Sequence, residues 1–321
     1  MNDIITSNDK VKRIIEQAKK VATSDINILI TGENGVGKNV FANAIHNYSK
    51  RKDGPLISIN CAAIPDNMLE LELFGCDKGD GKQRYIGKFE QAFKGTLVLD
   101  EIGEMPLVSQ GKIVKVIEEK RMQRIGGNEM INIDVRIIAT TSKDILKLVN
   151  DGKIREDFYF RLNEISFMVP PLRDRKEDIP LLINHFIKEF NQEFNKKVES
   201  ISHVALTYLL NYEWPGNIRE LRNLIRTAMA LSEKNQLWLE DIPLKISISG
   251  HKSVETEDNK DSKQLSVYSL KHAEKEHILK ILNMNKWNKS KSAKLLGISR
   301  PRLDRKMQEF GLKKPKKEKG K

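Results

Sequence analysis

The chain has 321 residues, 39% of them apolar, a formal net charge of +12 and two cysteines. That length can bury at least one full core and suits two domains of unequal size. Cys61 and Cys76, with no His or Cys nearby at ligand spacing, argue against a disulfide scaffold or a zinc site. No apolar run approaches the length needed to cross a bilayer and the N-terminus lacks an apolar leader, so the expected location is the cytoplasm, with no membrane partner.

In chain order, Val11, Ile14, Ile15, Ala18 and Val21 recur at helical spacing. Short apolar bursts follow at 27–31, 56–60, 96–100, 135–140 and 164–169, separated by helix-like segments such as Asn39 to His46 and Gln110 to Glu119. This alternation predicts an α/β core, a parallel sheet with helices on both faces, over residues 1–172. Strands are expected to stop after the Pro-Pro-Leu at 170–172, leaving a helical subdomain over 173–246, broken by Trp214-Pro215-Gly216. Residues 247–266 are polar and without period, and read as a linker.

The chemistry-bearing residues lie at strand ends. Directly after the first burst comes Gly32, Glu33, Asn34, Gly35, Val36, Gly37 and Lys38, followed by a helical pattern. A glycine-rich turn between strand and helix aims backbone N–H groups at a phosphate, and a lysine there reaches the β- and γ-phosphates. Asn39 stands where a P-loop commonly carries a Mg²⁺-binding Ser or Thr. The third burst ends in Asp100-Glu101, which suits Mg²⁺ coordination by the first carboxylate and orientation of an attacking water by the second. A hydrolysable nucleoside triphosphate with Mg²⁺ is therefore the expected ligand, and the resemblance given below implies that it is ATP. Arg155, Arg161 and Arg219 are candidates for neutralising charge on a transferring phosphate, although a lone arginine is more often a surface ion-pair partner.

The segments GENGVGKNVFANAIH, NCAAIP, ELFG, KFEQAFKGTLVLDEIGEMPL, REDFYFRLN, PPLRDRKEDIP and WPGNIRELRN, in this order from about Ile4 to Pro243, resemble the AAA+ domain of bacterial enhancer-binding proteins, the activators of sigma-54 RNA polymerase. The resemblance implies that Gly32 to Lys38 form the Walker A loop, with Asn39 where the family commonly has Glu, and that Asp100 and Glu101 form Walker B. It also implies that Asn60 restrains Glu101, that Arg155 and Arg161 act as fingers on ATP held by a neighbouring subunit, and that Arg219 senses nucleotide in cis. Ser142 falls where the family usually has Asn. Fingers acting in trans imply a homo-oligomeric ring, a hexamer. Almost no chain precedes the ATPase domain, which sets the expectation that an N-terminal regulatory domain is lacking.

In that family, ELFG leads into a loop bearing GAFTGA, whose Phe-Thr tip engages sigma-54. Here the flanks at 72–75 and 87–92 survive, but the intervening residues carry Lys78, Lys82 and Arg84 and no Phe or Thr. Without its apolar tip the loop is not expected to make the same contact. Two readings follow: an ATP-driven activator working with RNA polymerase holoenzyme, or a DNA-binding regulator of other promoters in which ATP controls oligomerisation.

The charge balance locates the DNA-binding part. Val267 to Lys321 hold 17 Lys and Arg against 5 Asp and Glu, and the preceding 266 residues are balanced at 39 each. Apolar residues at Leu270, Ala273, Ile278, Ile281 and Leu282 predict one helix, residues 288–297 a second ended by Gly297, and Ser299 to Phe310 a third, giving a helix-turn-helix over 267–312 and a basic tail over 313–321. Leu303, Met307 and Phe310 are expected to face inward, and Arg300, Arg302, Arg305 and Lys306 to face the major groove of double-stranded DNA at an upstream activator site. This segment resembles the Fis-type DNA-binding domain of the same family.

Overall fold

The computed structural model describes residues 4–77 and 84–242 and most of 278–312. The chain divides into two units, Met1–Gly250 and His251–Lys321.

The first unit is built on a five-stranded parallel sheet of β1 (Ile28–Thr31), β2 (Leu56–Asn60), β5 (Thr96–Asp100), β8 (Arg136–Thr141) and β9 (Ile165–Met168), in the order β2-β5-β8-β1-β9. Side chains alternate across it. Leu29, Leu97, Leu99, Ile137 and Ala139 enter one core, and Ile28, Ile30, Val98, Ile138 and Phe167 enter another. Both faces are thus buried, which is why the bursts read as continuous apolar runs. One face is covered by α1 (Asp9–Ala22) and α2 (Lys38–Asn47). The other is covered by α3 (Asp66–Phe74), the single-turn α4 (Lys88–Gln91), α5 (Leu107–Glu119), α6 (Ile145–Asn150) and α7 (Glu156–Leu162). Asn8 starts α1 by accepting from the Lys10 and Val11 amides at 3.0 and 3.1 Å.

The crossovers set the site. Because β8 lies between β5 and β1, with Leu99 beside Ala139 and Thr31 beside Thr141, the loops leaving β1, β5 and β8 open at the same edge of the sheet. Ligand sites of open parallel sheets form at such carboxyl ends.

The helical subdomain consists of α8 (Asp178–Phe194), α9 (His203–Asn211) and α10 (Asn217–Leu231), packed around Phe186, Phe190, Trp214, Leu221 and Ile225. Strands do not stop at residue 172 as expected: β10 (Ser200–Ile201) and β11 (Gln236–Leu237) pair in parallel. Two residues are too few for any sequence period to register. The stretch 74–90 likewise contains more than a loop. β3 (Cys76–Asp77) and β4 (Arg84–Tyr85) form an antiparallel stem, with Cys76 opposite Tyr85 and Asp77 opposite Arg84. A further hairpin, β6 (Arg121–Gln123) with β7 (Met130–Asn132), was not anticipated, and Ile125 beyond β6 bridges to Cys76. Lys78, Lys82, the 247–266 linker, Leu270, Ala273, Gly297 and the 313–321 tail lie outside the described residues.

In the second unit, α11 (Lys289–Leu295) and α12 (Arg300–Glu309) pack around Ile278, Leu282, Ala293, Leu303 and Met307, with Phe310 against them, as the helical spacing predicts. Lys289 reaches Asp304 across the pair at 2.7 Å. Ser299 occupies the position before α12, but its side chain makes no capping hydrogen bond; Pro301 in the first turn helps fix the start instead.

Candidate nucleotide site

Gly32, Gly35 and Gly37 adopt φ of 147°, 78° and 104°, turning the chain from β1 into α2. A Cβ on Gly35 would lie 2.3 Å from the Gly216 carbonyl oxygen, so the loop packs main chain to main chain against the helical subdomain. The Ile218 and Arg219 amides donate to the Gly35 carbonyl at 3.0 and 3.3 Å. Glu33 accepts a bidentate pair from Arg173 at 2.6 and 2.8 Å and a third bond from Asn217 at 3.1 Å. The Arg173 hydrogen bond, followed by that of Asn217, outweighs partial burial and holds the Glu33 carboxyl below the usual range.

The loop borders a cavity of about 750 Å³ that also receives Asn39, Asn60, Asp100, Glu101, Ser142 and Arg219. Lys38 is 6% exposed; its Nζ donates to the Gly32 carbonyl at 3.0 Å and lies 3.0 Å from Glu101 Oε1. Glu101 leaves β5 with a left-handed φ of 55°, which re-aims its carboxylate toward the lysine and is a strain typical of functional turns. Its Oε2 accepts from the Ser142 amide at 2.8 Å and the Ser142 hydroxyl at 2.7 Å. Burial raises the Glu101 pKa, but the Ser142 hydrogen bonds and Lys38 prevail, and the net direction is downward. The group is therefore ionised at neutral pH.

Asp100 accepts a hydrogen bond from the Thr140 hydroxyl and, on Oδ2, one from the Asn39 amide at 3.2 Å. Among the described residues no group of three or more His, Cys, Asp or Glu surrounds a metal position. Mg²⁺ is commonly held by one or two carboxylates together with substrate phosphates. Asp100 would hold it here, and the Asn39 amide is placed beside it. Behind Asp100, burial and then the Asp100 charge push the Cys61 thiol up to about 12, so it stays protonated.

Asn60 borders the cavity beside Asp100, but its Oδ1 accepts from the Ala62 amide at 2.9 Å. Glu101 is held by Ser142, the residue directly after β8, and by Lys38. Ser142 stood out in the sequence only as a departure from a family pattern. Its role depends on the β5–β8 register, which sequence does not display.

Arg155 and Arg161 lie outside the cavity. Arg155 pairs with Asp157 at 2.8 Å and is exposed; Arg161 pairs with Glu118 and is half-buried. The structure thus brings Lys38, Asp100, Glu101 and Arg219 together and leaves these two arginines at the surface. On α12, Arg300, Arg302 and Arg305 are exposed, while Lys306 is half-buried with its ammonium 5.4 Å over the Phe310 ring.

A P-loop and an acidic strand end on a β2-β5-β8-β1-β9 sheet, followed by a helical subdomain, define a P-loop protein of the AAA+ class. Residues 4–168 match the sigma-54 interaction domain, 173–259 the AAA+ ATPase lid domain, and 269–310 the Fis family of bacterial regulatory proteins. The chain belongs to the family of sigma-54-dependent transcriptional regulators with a Fis-type helix-turn-helix. It is 42% identical to regulatory protein AtoC of Escherichia coli (strain K12), over 96% of this chain and 68% of AtoC. It is 38% identical to the phenol regulator MopR of Acinetobacter guillouiae, over 94% of this chain and 55% of MopR, and so spans about half of that relative. Crystal structures of NtrX from Brucella abortus are similar: the complex with ADP has a TM-score of 0.74 at 30% identity, covering 96% of this chain and 70% of NtrX. The complex with ATP has a TM-score of 0.71 at 30% identity, covering 97% and 69%. No helix among the described residues is long and apolar enough to cross a membrane.

Proposed function

We propose that the chain binds and hydrolyses ATP with Mg²⁺ in the cytoplasm, and couples turnover in a homo-oligomeric ring to transcription by sigma-54 RNA polymerase from DNA-bound sites. The observation that carries this reading is the meeting of Lys38, Asp100 and Glu101 in one cavity. Bound Mg²⁺ would neutralise phosphate charge beside Asp100. Lys38 exchanges the Glu101 carboxylate for phosphate oxygens, and Glu101 Oε1, thus freed, orients the attacking water while Ser142 keeps hold of Oε2. Arg219 contributes from the helical subdomain of the same chain.

Arg155 and Arg161 line no part of their own cavity, which favours action on a neighbour's nucleotide, and six subunits would close the ring. Mixing two inactive variants tests this. Glu101→Gln and Arg161→Ala are each expected to lack turnover alone; their mixture regains it, because some interfaces combine an intact Glu101 with an intact Arg161. Failure of all mixtures to recover would refute action in trans.

One observation favours a second reading. The six residues joining β3 to β4, Lys78 to Gln83, include no apolar side chain, so a sigma-54-independent regulator, in which ATP governs assembly, is the alternative. Purified protein, sigma-54 polymerase and ATP on a sigma-54 promoter separate the two. ATP-dependent open complexes support the activator, and their absence with the natural loop but appearance with a GAFTGA loop supports the alternative.

A further inference from the structure

Arg175 is 1% exposed, follows the helical turn Leu172–Asp174, and borders the nucleotide cavity. A guanidinium carries five N–H donors, and few are used here. Nη2 donates to the Val36 carbonyl of the P-loop at 2.7 Å, Nη1 stands 4.0 Å from Asp178 Oδ2, beyond hydrogen-bond reach, and Nε has no partner. Asp178 cannot turn fully to the arginine because its oxygens are engaged elsewhere. They accept from the Thr6 hydroxyl at 2.8 Å and from the Ser7 and Asn8 amides at 2.6 and 3.2 Å.

A buried charged donor without an acceptor is costly, and native structures seldom leave one without a reason. The surroundings indicate what completes this one. Ile4, Ile5, Leu182, Phe186 and Ile218 also border the cavity, and apolar walls of this kind suit a flat heterocycle. Phosphate-binding chemistry belongs to Lys38 and the P-loop amides, so the apolar walls are left for the base. An exocyclic amino group would oppose the arginine donor to donor, whereas a ring nitrogen offers a lone pair.

We propose that the Arg175 guanidinium donates a hydrogen bond to a ring nitrogen of the bound purine, and thereby selects the base while bracing the P-loop at Val36. This rests on the nucleotide reading of the cavity. Arg175 is a specificity residue in this account; it takes no part in the transfer of the phosphoryl group.

The test measures equilibrium binding, with no turnover needed. The full chain, its Arg175→Met variant and its Arg175→Lys variant are titrated with ATP and with 1-deaza, 3-deaza and 7-deaza ATP, and each protein's melt is recorded. One deaza analogue is expected to bind the wild type about 10-fold more weakly than ATP, the size of one lost charge-assisted bond. The same analogue is expected to bind Arg175→Met as well as ATP does. If Arg175→Met does not fold, Arg175→Lys decides, since it keeps the charge but not the planar fork; its discrimination should fall below about 3-fold. Equal binding of all four nucleotides to the wild type, or undiminished discrimination in the folded variants, overturns the proposal. Absence of ATP binding to folded wild type overturns the nucleotide reading itself, and this proposal with it.

Discussion

The hydroxyl and amide of Ser142 both donate to one oxygen of Glu101, at 2.7 and 2.8 Å, and the other oxygen lies 3.0 Å from Lys38. The carboxylate is thus gripped at both ends, once by the residue directly after β8 and once by the P-loop lysine. Ser142→Ala removes the hydroxyl but keeps the amide. Turnover is expected to fall about 10-fold with KM nearly unchanged, and Ser142→Thr should restore most of it. Steady-state ATPase kinetics check this; an equal loss in KM alone would contradict a positioning role.

Glu101→Gln keeps the shape and loses the base. ATP affinity is expected within a few-fold of wild type, with turnover lowered by about 10²- to 10⁴-fold. Because Ser142 and Lys38 hold the Glu101 pKa down against burial, the acid limb of the wild-type profile should not show this group titrating between about pH 6 and 8. A pH-rate series with a buffered constant ionic strength reads it directly.

The Arg173–Glu33 pair joins the P-loop to the helical subdomain at a partly exposed position. After solvent screening, Arg173→Ala should cost about 0.5–1 kcal/mol and lower Tm by about 1–3 °C at pH 7. Glu33 has a depressed folded-state pKa, so this contribution is complete above the unfolded value near 4.5 and fades as pH falls through the folded one. Melting curves of both proteins should therefore converge in acid.

At Gly35 a side chain has no room: its Cβ would meet the Gly216 carbonyl at 2.3 Å, and φ is 78°. Gly35→Ala should separate the P-loop from the start of α10, weakening nucleotide binding and lowering Tm together. A calorimetric titration beside a melt checks both. Unchanged ATP affinity would mean that the contact is structural only.

Arg302→Ala and Arg305→Ala, on the exposed side of α12, should weaken DNA binding. Wherever the contact is to phosphate, the salt slope of log K falls by about 1 per arginine. A contact to a base edge would instead relax sequence preference. Fluorescence anisotropy at several salt concentrations distinguishes the outcomes.

Much of this arrangement is legible in the sequence because it is local. The glycines at 32, 35 and 37 and the apolar run ending in Asp100-Glu101 announce their geometry within a few residues. Leu303 and Met307 follow the helical period into the core of the second unit as expected. What escapes is set by register and by distant partners. Ser142 reaches Glu101 only because β8 pairs with β5, and Asn60, one strand away on the other side, spends its side chain on Ala62. Arg175 and Asp178 look like ordinary charges of a helix start, yet Asp178 bonds residues some 170 positions earlier.

That long closure from Asp178 to Thr6, Ser7 and Asn8 makes the first described residues of the AAA+ unit part of the P-loop cavity, with Ile4 and Ile5 on the wall. Whatever polypeptide is joined ahead of Ile4 is tethered within a few bonds of the apolar end of the cavity. Tension, docking or release of such a segment would be felt there before it could be felt at the phosphates.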